Sequence, residues 1–225
     1  MSMKNTIPAL VLLSVLMIGT AQAADLDTDK EKFSYAVGVQ IALSLRHDGP
    51  YFDAAALTQA IEDVLAGAPL KLTPEEMKQA FNTFQRQRQE ERRRLAEINA
   101  RKGREFLAAN GKKAGVVTLP SGLQYQVIKK GSGKKPRLED TVVVNYRGTF
   151  IDGQEFDSSY QRGEPATFTV GQVIQGWQEV LPLMPVGSHW KVFIPAELAY
   201  GERGAGNDIG PNETLIFDIE LLAIN

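Results

Sequence analysis

Apolar residues recur at helical spacing in the first third of the chain. A capping-box pattern at residues 28–31 precedes a stripe made of Phe33, Val37, Ile41 and Leu45. A second stripe begins near Asp53, ends at Gly67 before Pro69, and contains Leu57, Ile61, Val64 and Leu65. Two helices this short do not enclose a core by themselves. We therefore expect their apolar faces to need a partner, either another domain or a second copy of the chain.

The longest helical pattern covers residues 73–109. Thr73 is the predicted N-cap, Pro74 takes the first helical position, and Glu76 completes a capping box. Such a helix would span roughly 55 Å at the usual rise per residue. Residues 85–94 are polar on every face, which is typical of a spacer that crosses solvent. We interpret this segment as a stalk between domains, with Gly103 and the region of Gly111 as bending points.

After Gly111 the pattern changes to strands and turns. Alternating or β-branched runs predict four strands, near residues 123–127, 141–146, 190–194 and 215–222. Glycine- and proline-rich turns separate them, and one helical segment, near residues 174–181, interrupts them before Pro182. The expected fold class is α+β, with an all-helical N-terminal domain, a long connecting helix, and an antiparallel sheet packed on one short helix.

The first residues have the pattern of a secretory signal peptide. Lys4 precedes an apolar run at residues 7–18, and Ala21 and Ala23 fit a cleavage site of small residues. The run is shorter than the about 20 apolar residues that a membrane anchor needs. We predict cleavage after Ala23, no stable membrane insertion afterwards, and export to the periplasm of a Gram-negative bacterium, with exposure on the outer surface as an alternative.

Composition and charge exclude several classes of function. The chain of 225 residues has a net charge of −2 and no cysteine, which excludes disulfides, thiolate metal sites and cysteine nucleophiles. Its two histidines, His47 and His189, stand outside any metal-ligand spacing, so no metal or cofactor is expected. Arginines concentrate at residues 86–104, but interleaved glutamates offer ion pairs along a solvated helix face. Nucleic acid is therefore not an expected partner.

The last third of the chain concentrates aromatic residues in short blocks, at residues 144–148, 153–159, 173–177, 199–201 and 214–218. Taken singly, strand aromatics are more often core than ligand contacts. Asp157 and Tyr200 differ, because a carboxylate and a hydroxyl among aromatic residues need a reason to be there. We interpret the blocks as an apolar ligand socket with a few polar groups. The glycine-rich stretch at 201–210 fits no phosphate-binding motif and is expected to be a flexible loop beside the socket.

The blocks resemble those of the FKBP-type peptidyl-prolyl cis/trans isomerases over about residues 122–224. The order Tyr146-x-Gly148, Phe156-Asp-Ser-Ser159, Val173-Ile-x-Gly-Trp177, Ala199-Tyr-Gly201 and Leu215-Ile-Phe217 makes the resemblance specific. The exported helical N-terminal half is similar to the macrophage infectivity potentiator (Mip) subfamily, whose members form V-shaped homodimers through their N-terminal helices. The resulting boundaries are a signal peptide at 1–23, a dimerisation domain at 24–72, the connecting helix at 73–111 and an isomerase domain at 112–225.

The resemblance also implies a role for each site residue. Trp177 would form the pocket floor, and the catalytic group would comprise Asp157, Tyr200, Tyr146 and Phe156. Substrate or inhibitor would be bound by Val173, Ile174, Trp177, Phe217, Arg162 and Ile209, with the Ile174 N–H meeting a carbonyl and Arg162 pairing with the aspartate. Ala166 and Ala205 stand where well-known small members have larger rings, which implies a more open rim.

Three functions are compatible with these features. The first is isomerisation of prolyl bonds in exported proteins, a rotation that breaks no bond to another atom and so requires no nucleophile, metal or cofactor. The second is a holdase chaperone that grips unfolded chains in the cleft of the dimer, and the third is a surface-binding virulence factor. The expected partners are proline-containing unfolded polypeptides, a second copy of the chain, and macrolide immunosuppressants as inhibitors.

Overall fold

The computed structural model describes residues 26–45 and 51–225. The predicted signal peptide and His47 lie outside the described residues. The chain divides into two compact units, Met1–Ile61 and Glu62–Asn225. In the described part of the chain, no helix is both long enough and apolar enough to cross a membrane.

The two N-terminal helices form where the apolar stripes predict them. Helix α1 (Asp29–Leu45) begins with the predicted capping box, in which the Thr28 N–H donates to Glu31 Oε2 at 2.7 Å and the Glu31 N–H donates to Thr28 Oγ1 at 3.2 Å. Helix α2 (Ala54–Ala66) begins after Asp53, whose Oδ1 accepts the Ala56 N–H at 2.8 Å. Neither helix buries a residue. Their apolar side chains are exposed, among them Phe33, Ile41, Ile61, Val64 and Leu65.

Helix α3 (Pro74–Asn110) is continuous over 37 residues. Thr73 caps it as predicted, because the Thr73 hydroxyl accepts the Glu76 N–H at 3.3 Å and Glu76 Oε2 accepts the Thr73 N–H at 2.8 Å. The helix continues through Gly103, which was expected to be a bending point. Gly103 is instead a close-approach residue, since a Cβ atom there would lie 2.2 Å from Thr214 Oγ1.

The C-terminal half of α3 packs on the sheet domain. Its contact residues recur at helical spacing and include Arg92, Ala96, Asn99, Gly103, Phe106, Leu107 and Asn110. We call these seven residues the docking stripe. The stalk interpretation is therefore wrong for residues 92–110, where one helix face contacts protein rather than solvent. The signal was weak because three of the seven residues are polar and two others, Ala96 and Gly103, have little or no side chain.

The sheet has seven antiparallel strands in the described residues. They are β1 (Val116–Thr118), β2 (Gln124–Lys129), β3 (Thr141–Thr149), β4 (Glu155–Ser158), β5 (Ala166–Thr169), β6 (His189–Ile194) and β7 (Leu215–Ile224). Their order is β1-β2-β6-β7-β3-β4, with β5 pairing with β3. The four predicted strands are confirmed as β2, β3, β6 and β7. The sequence prediction missed β1, β4 and β5, which have only three or four residues each.

Two short helices interrupt the strands, α4 (Ser159–Arg162) and the predicted α5 (Gln175–Val180). Alternate residues of the long strands face the core, such as Val142, Val144 and Tyr146 of β3. Helix α5 covers this face and contributes Trp177 and Val180 to the same buried cluster. The predicted α+β architecture, a sheet packed on a short helix, is confirmed.

Candidate active site

A cavity of about 340 Å³ opens between α5 and the sheet. Of the described residues, ten line it: Tyr146, Phe156, Asp157, Phe168, Gln172, Val173, Ile174, Trp177, Tyr200 and Phe217. They come from β3, β4, β5, α5 and β7 and from the segments that flank α5 and precede residue 201. Residues far apart in sequence therefore form one wall, and six of the ten are aromatic.

Trp177 is the centre of the aromatic wall. Its ring centroid lies 5.4 Å from that of Tyr146, 5.7 Å from that of Phe168 and 5.3 Å from that of Phe217, each in an edge-to-face arrangement. Such pairs are favoured by the quadrupoles of the rings. The Trp177 indole N–H is buried and has no hydrogen-bond acceptor among the described residues. Ring packing therefore holds Trp177 in the pocket floor.

Two glycines in the sequence blocks allow the wall to close. Gly148 pairs with Asp157 on β4 and with Phe217 on β7. A Cβ atom at Gly148 would lie 2.6 Å from Phe156 Cζ, so only glycine lets that ring pack against Phe217. Gly176 has the same function at α5, because a Cβ atom there would lie 2.5 Å from Ile194 Cγ2. Both glycines permit the close packing that positions the rings.

Asp157 is anchored at the cavity edge through both of its oxygens. The Tyr146 hydroxyl donates to Asp157 Oδ2, and Arg162 Nη1 donates to Asp157 Oδ1 at 2.6 Å. Arg162 Nη2 also donates to the Tyr146 hydroxyl at 2.8 Å, which closes a three-membered network. These hydrogen bonds raise the pKa of Arg162, while burial and the hydrogen bond to Asp157 raise the pKa of Tyr146. The network fixes a negative charge beside an apolar cavity.

Two donors at the cavity remain available. Within the described part of the chain, the Tyr200 hydroxyl makes no hydrogen bond, and neither does the Ile174 N–H, which precedes α5. Burial raises the pKa of Tyr200, and the charge of Asp157 raises it further. Tyr200 therefore stays a neutral O–H donor at neutral pH. The cavity combines an apolar wall, an anchored carboxylate and two unpaired donors.

Two family models match the chain, one for the FKBP-type peptidyl-prolyl cis-trans isomerase over residues 132–222 and one for the domain amino terminal to it over residues 30–127. The outer membrane protein MIP of Legionella longbeachae is 46% identical over 100% of this chain and 98% of its own length. The chain belongs to the FKBP-type peptidyl-prolyl cis-trans isomerases.

Other FKBP-type relatives are similar over most of the chain. The peptidyl-prolyl cis-trans isomerase Mip of Coxiella burnetii is 42% identical over 99% of both chains. The crystal structure of FkpA from Escherichia coli has a TM-score of 0.64 and 38% identity, and covers 89% of this chain and 99% of its own. The predicted family, its Mip-like character and the isomerase class are thereby confirmed.

The FKBP-type cavity includes eight of the ten predicted site residues. Arg162 is not one of the described residues that line the cavity. It contacts two lining residues, Asp157 and Tyr146, through hydrogen bonds. Ile209 is also outside the described lining, and is buried in the hydrophobic cluster that includes the cavity residues Tyr146, Trp177 and Phe217. Ala166 and Ala205 are partly buried against that cluster.

Sequence reasoning missed Phe168 and Gln172, which both line the cavity. Phe168 lies on the four-residue strand β5, and such a short strand gives little periodic signal. Gln172 directly precedes Val173-Ile174, so its place beside a recognised block was the available clue.

Proposed function

We propose that this cavity catalyses cis/trans isomerisation of prolyl bonds in exported proteins. The observation that supports this site most directly is the unpaired Tyr200 hydroxyl beside an anchored Asp157 in a cavity walled by aromatic rings. An apolar wall suits proline, whose ring carries no N–H donor. The uncatalysed reaction takes tens to hundreds of seconds, which makes a catalyst useful during folding.

The reaction requires no covalent bond between the protein and its substrate. Rotation about a peptide bond has a barrier of about 18–20 kcal/mol because the twisted state loses amide resonance. A catalyst therefore needs only to bind the twisted state more tightly than either planar state. The twisted carbonyl has less charge separation than the planar amide, so an apolar cavity penalises it less. Trp177 and the rings around it supply that environment.

Tyr200 and Ile174 would hold the substrate carbonyl. The Tyr200 O–H and the Ile174 N–H are the two unpaired donors of the cavity residues described. Donors that are already positioned cost no reorganisation when the bond twists. Burial raises the pKa of Tyr200, and the negative charge of Asp157, fixed by Tyr146 and Arg162, raises it further. Asp157, Tyr200, Tyr146 and Phe156 are the proposed catalytic residues, and Val173, Ile174, Trp177, Phe217 and Arg162 are the proposed binding and anchoring residues.

The assignment is tested with a proline-containing peptide whose isomerisation is followed optically. Asp157→Ala should lower kcat/KM by about tenfold to a hundredfold, because it removes the anchor of the network. Tyr200→Phe should lower it by about tenfold, since it deletes one donor and keeps the ring. Unchanged activity in both variants would overturn the site assignment.

Glu197→Gln is a control for Asp157→Ala, because it removes a carboxylate that does not line the cavity. Its side chain is exposed, and we expect wild-type activity. A macrolide immunosuppressant that competes with the peptide for the wild-type protein, and binds Tyr200→Phe more weakly, would place the inhibitor in the same cavity.

We further propose that the protein is an exported homodimer. The apolar side chains of α1 are exposed all round, with Phe33 71% and Tyr35 62% exposed, and a helix that is apolar all round is normally covered. The relative named as an outer membrane protein supports export. The mature chain should have the mass of a dimer in sedimentation, and Ile41→Glu should yield a monomer. The surface variant Lys30→Glu should remain dimeric.

The proposal includes a second activity of the dimer, in which it binds unfolded chains as a holdase chaperone. The exposed apolar side chains of α2, among them Val64 and Leu65, support it, since binding of unfolded chains uses such surfaces. Suppression of aggregation, measured with a client whose refolding is not limited by proline, should persist in Asp157→Ala and fall in Ile41→Glu. Loss of both activities in Asp157→Ala would contradict a separate chaperone function.

A further inference from the structure

The segment that carries Tyr200 is folded by its own backbone hydrogen bonds. We call residues 200–212 the rim loop. The Gly204 N–H donates to the Tyr200 carbonyl at 3.1 Å, and the Asn212 N–H donates to the Gly201 carbonyl at 2.8 Å. Ala205 and Ile209 exchange two backbone hydrogen bonds, at 2.9 and 3.1 Å. These bonds bring the two ends of the loop together, so its position depends on what holds those ends.

Helix α3 holds both ends of the rim loop. Arg92 Nη2 donates to the carbonyls of Glu202 at 3.2 Å and of Arg203 at 2.5 Å, next to Tyr200. At the other end, Asn99 Nδ2 donates to the Pro211 carbonyl at 2.9 Å. Asn212 Nδ2 returns a weaker hydrogen bond to the Ala96 carbonyl at 3.4 Å. Every one of these contacts joins the helix to the loop.

The contact at Arg92 is chemically favourable. Gly201–Arg203 is a single 3-10 turn, and the carbonyls of Glu202 and Arg203 stand at its carboxyl end. Carbonyls at a helical end lack intrahelical partners and favour a cation. Arginine donates through several N–H groups, so one guanidinium satisfies two carbonyls. The Arg92 guanidinium therefore supplies donors to two carbonyls that the 3-10 turn leaves without partners.

We propose that Arg92 and Asn99 are positioning residues for the isomerase reaction, because they hold the rim loop and with it Tyr200 at the cavity. This role rests on Tyr200 acting in the proposed site. It makes the long helix a structural part of the active site as well as a connection to the N-terminal helices. Neither residue lines the cavity among the residues described.

The proposal predicts a particular kinetic signature. Without Arg92 the rim loop samples positions in which Tyr200 is displaced, and only a fraction of molecules is competent to bind substrate. Apparent affinity falls by that fraction, while saturating substrate restores the competent state. Arg92→Ala should therefore raise KM about fivefold and leave kcat nearly unchanged. Tyr200→Phe deletes the donor itself, so saturating substrate cannot restore it, and kcat should fall.

The test combines peptide isomerisation kinetics with amide hydrogen exchange on the full-length mature protein. In Arg92→Ala, the amides of Gly204 and Asn212 should exchange faster, while amides in the centre of β3 stay protected. Asn99→Ala should act in the same direction, and Arg92→Lys should restore part of the wild-type KM because it keeps one charged donor. Arg94→Ala is the matched control, since it removes an exposed arginine two residues away on the same helix.

The outcomes are distinguishable. Wild-type KM and wild-type loop exchange in both Arg92→Ala and Asn99→Ala would overturn the proposal and leave the isomerase site intact. Equal effects in Arg94→Ala would also overturn it, because loss of charge alone would explain them. If Tyr200→Phe and Asp157→Ala keep full activity, the site assignment fails, whereas faster loop exchange in Arg92→Ala would still report the contact with α3.

Discussion

The aromatic cavity and the docking stripe of α3 belong to the same compact unit but are held together differently. The cavity depends on contacts among large rings, with Trp177 touching three of them edge to face. The docking stripe depends largely on hydrogen bonds from side chains to backbone carbonyls, as at Arg92 and Asn99. Buried rings leave a strong pattern in a sequence, whereas polar docking residues look like a solvated helix face.

Substitutions in the two regions should therefore affect stability and activity in different ways. Substitutions at the cavity should cost stability through lost packing and activity through lost shape. Substitutions along the docking stripe should cost stability through steric conflict or unpaired polar groups, and should reach activity only through the rim loop.

The largest expected effect comes from comparing a tryptophan that lines the cavity with a buried tryptophan outside it. Trp177→Ala and Trp190→Ala each remove a buried indole, and each should lower the free energy of unfolding by about 3–5 kcal/mol in denaturant titrations. Trp190 stacks on Tyr125, with ring centroids 4.5 Å apart, and is not one of the described residues that line the cavity. Only Trp177→Ala should lose isomerase activity per folded molecule. An equal loss in Trp190→Ala would show that activity follows stability alone.

A second test introduces a methyl group into the docking stripe. Gly103→Ala places a Cβ atom 2.2 Å from Thr214 Oγ1, and should lower the free energy of unfolding by about 1–3 kcal/mol. Thr214→Ala removes that oxygen, so the double variant should recover part of the loss. A neutral Gly103→Ala, with the helix fully formed by circular dichroism, would show that α3 is not docked at this position.

A third test addresses the buried polar end of the docking stripe. Asn110 Nδ2 donates to Gln124 Oε1 at 3.0 Å, and Gln124 Nε2 donates to the Leu107 carbonyl at 2.8 Å. Asn110→Ala leaves a buried acceptor unpaired and should cost about 1–2 kcal/mol of unfolding free energy.

The double variant Asn110→Ala with Gln124→Ala supplies the control for Asn110. It should be less destabilised than the sum of the two single variants, because it removes both partners at once. Strictly additive losses would contradict a direct hydrogen bond between these residues.

The smallest expected effect is the response of the cavity to alkaline pH. The pKa of Tyr200 is raised by burial and by Asp157, so its hydroxyl stays protonated above the usual tyrosine pKa of about 10. With that sign, kcat/KM should be flat from about pH 7 to 10 and decline only above this range. Titration of phenolate absorbance in wild type and Tyr200→Phe should differ by one group that ionises above pH 10. A decline that begins near pH 8 would contradict the protonated-donor role.

Much of the fold was predictable because it follows local periodicity. The caps at Thr28 and Thr73 and the long strands β3, β6 and β7 all arise from neighbouring residues. The short strands β1, β4 and β5 were not predictable, since three or four residues give no clear period. They form because pairing with longer strands supplies hydrogen bonds that the short segments cannot supply alone.

The candidate site was predictable as far as its blocks were distinctive. Eight lining residues were named from the sequence, whereas Phe168 and Gln172 were missed because each stands outside the recognised motifs. Ile209 was expected at the pocket by resemblance, yet it is not among the described residues that line the cavity. Which side of a loop a residue faces depends on the hydrogen bonds within the loop and on the distant α3 residues that hold it, and the motif blocks specify neither.

The helices, the long strands, the family, and the aromatic and polar composition of the cavity follow from the order of residues along the chain, because each is encoded by residues close together or by an ordered set of motifs. By contrast, the contact of Gly103 with Thr214, and the reach of Arg92 and Asn99 to a loop more than a hundred residues away, arise only when distant segments pack together. Such contacts join polar side chains to backbone carbonyls, and backbone carbonyls are the same in every residue. A sequence therefore carries no mark of which carbonyl a polar side chain will meet.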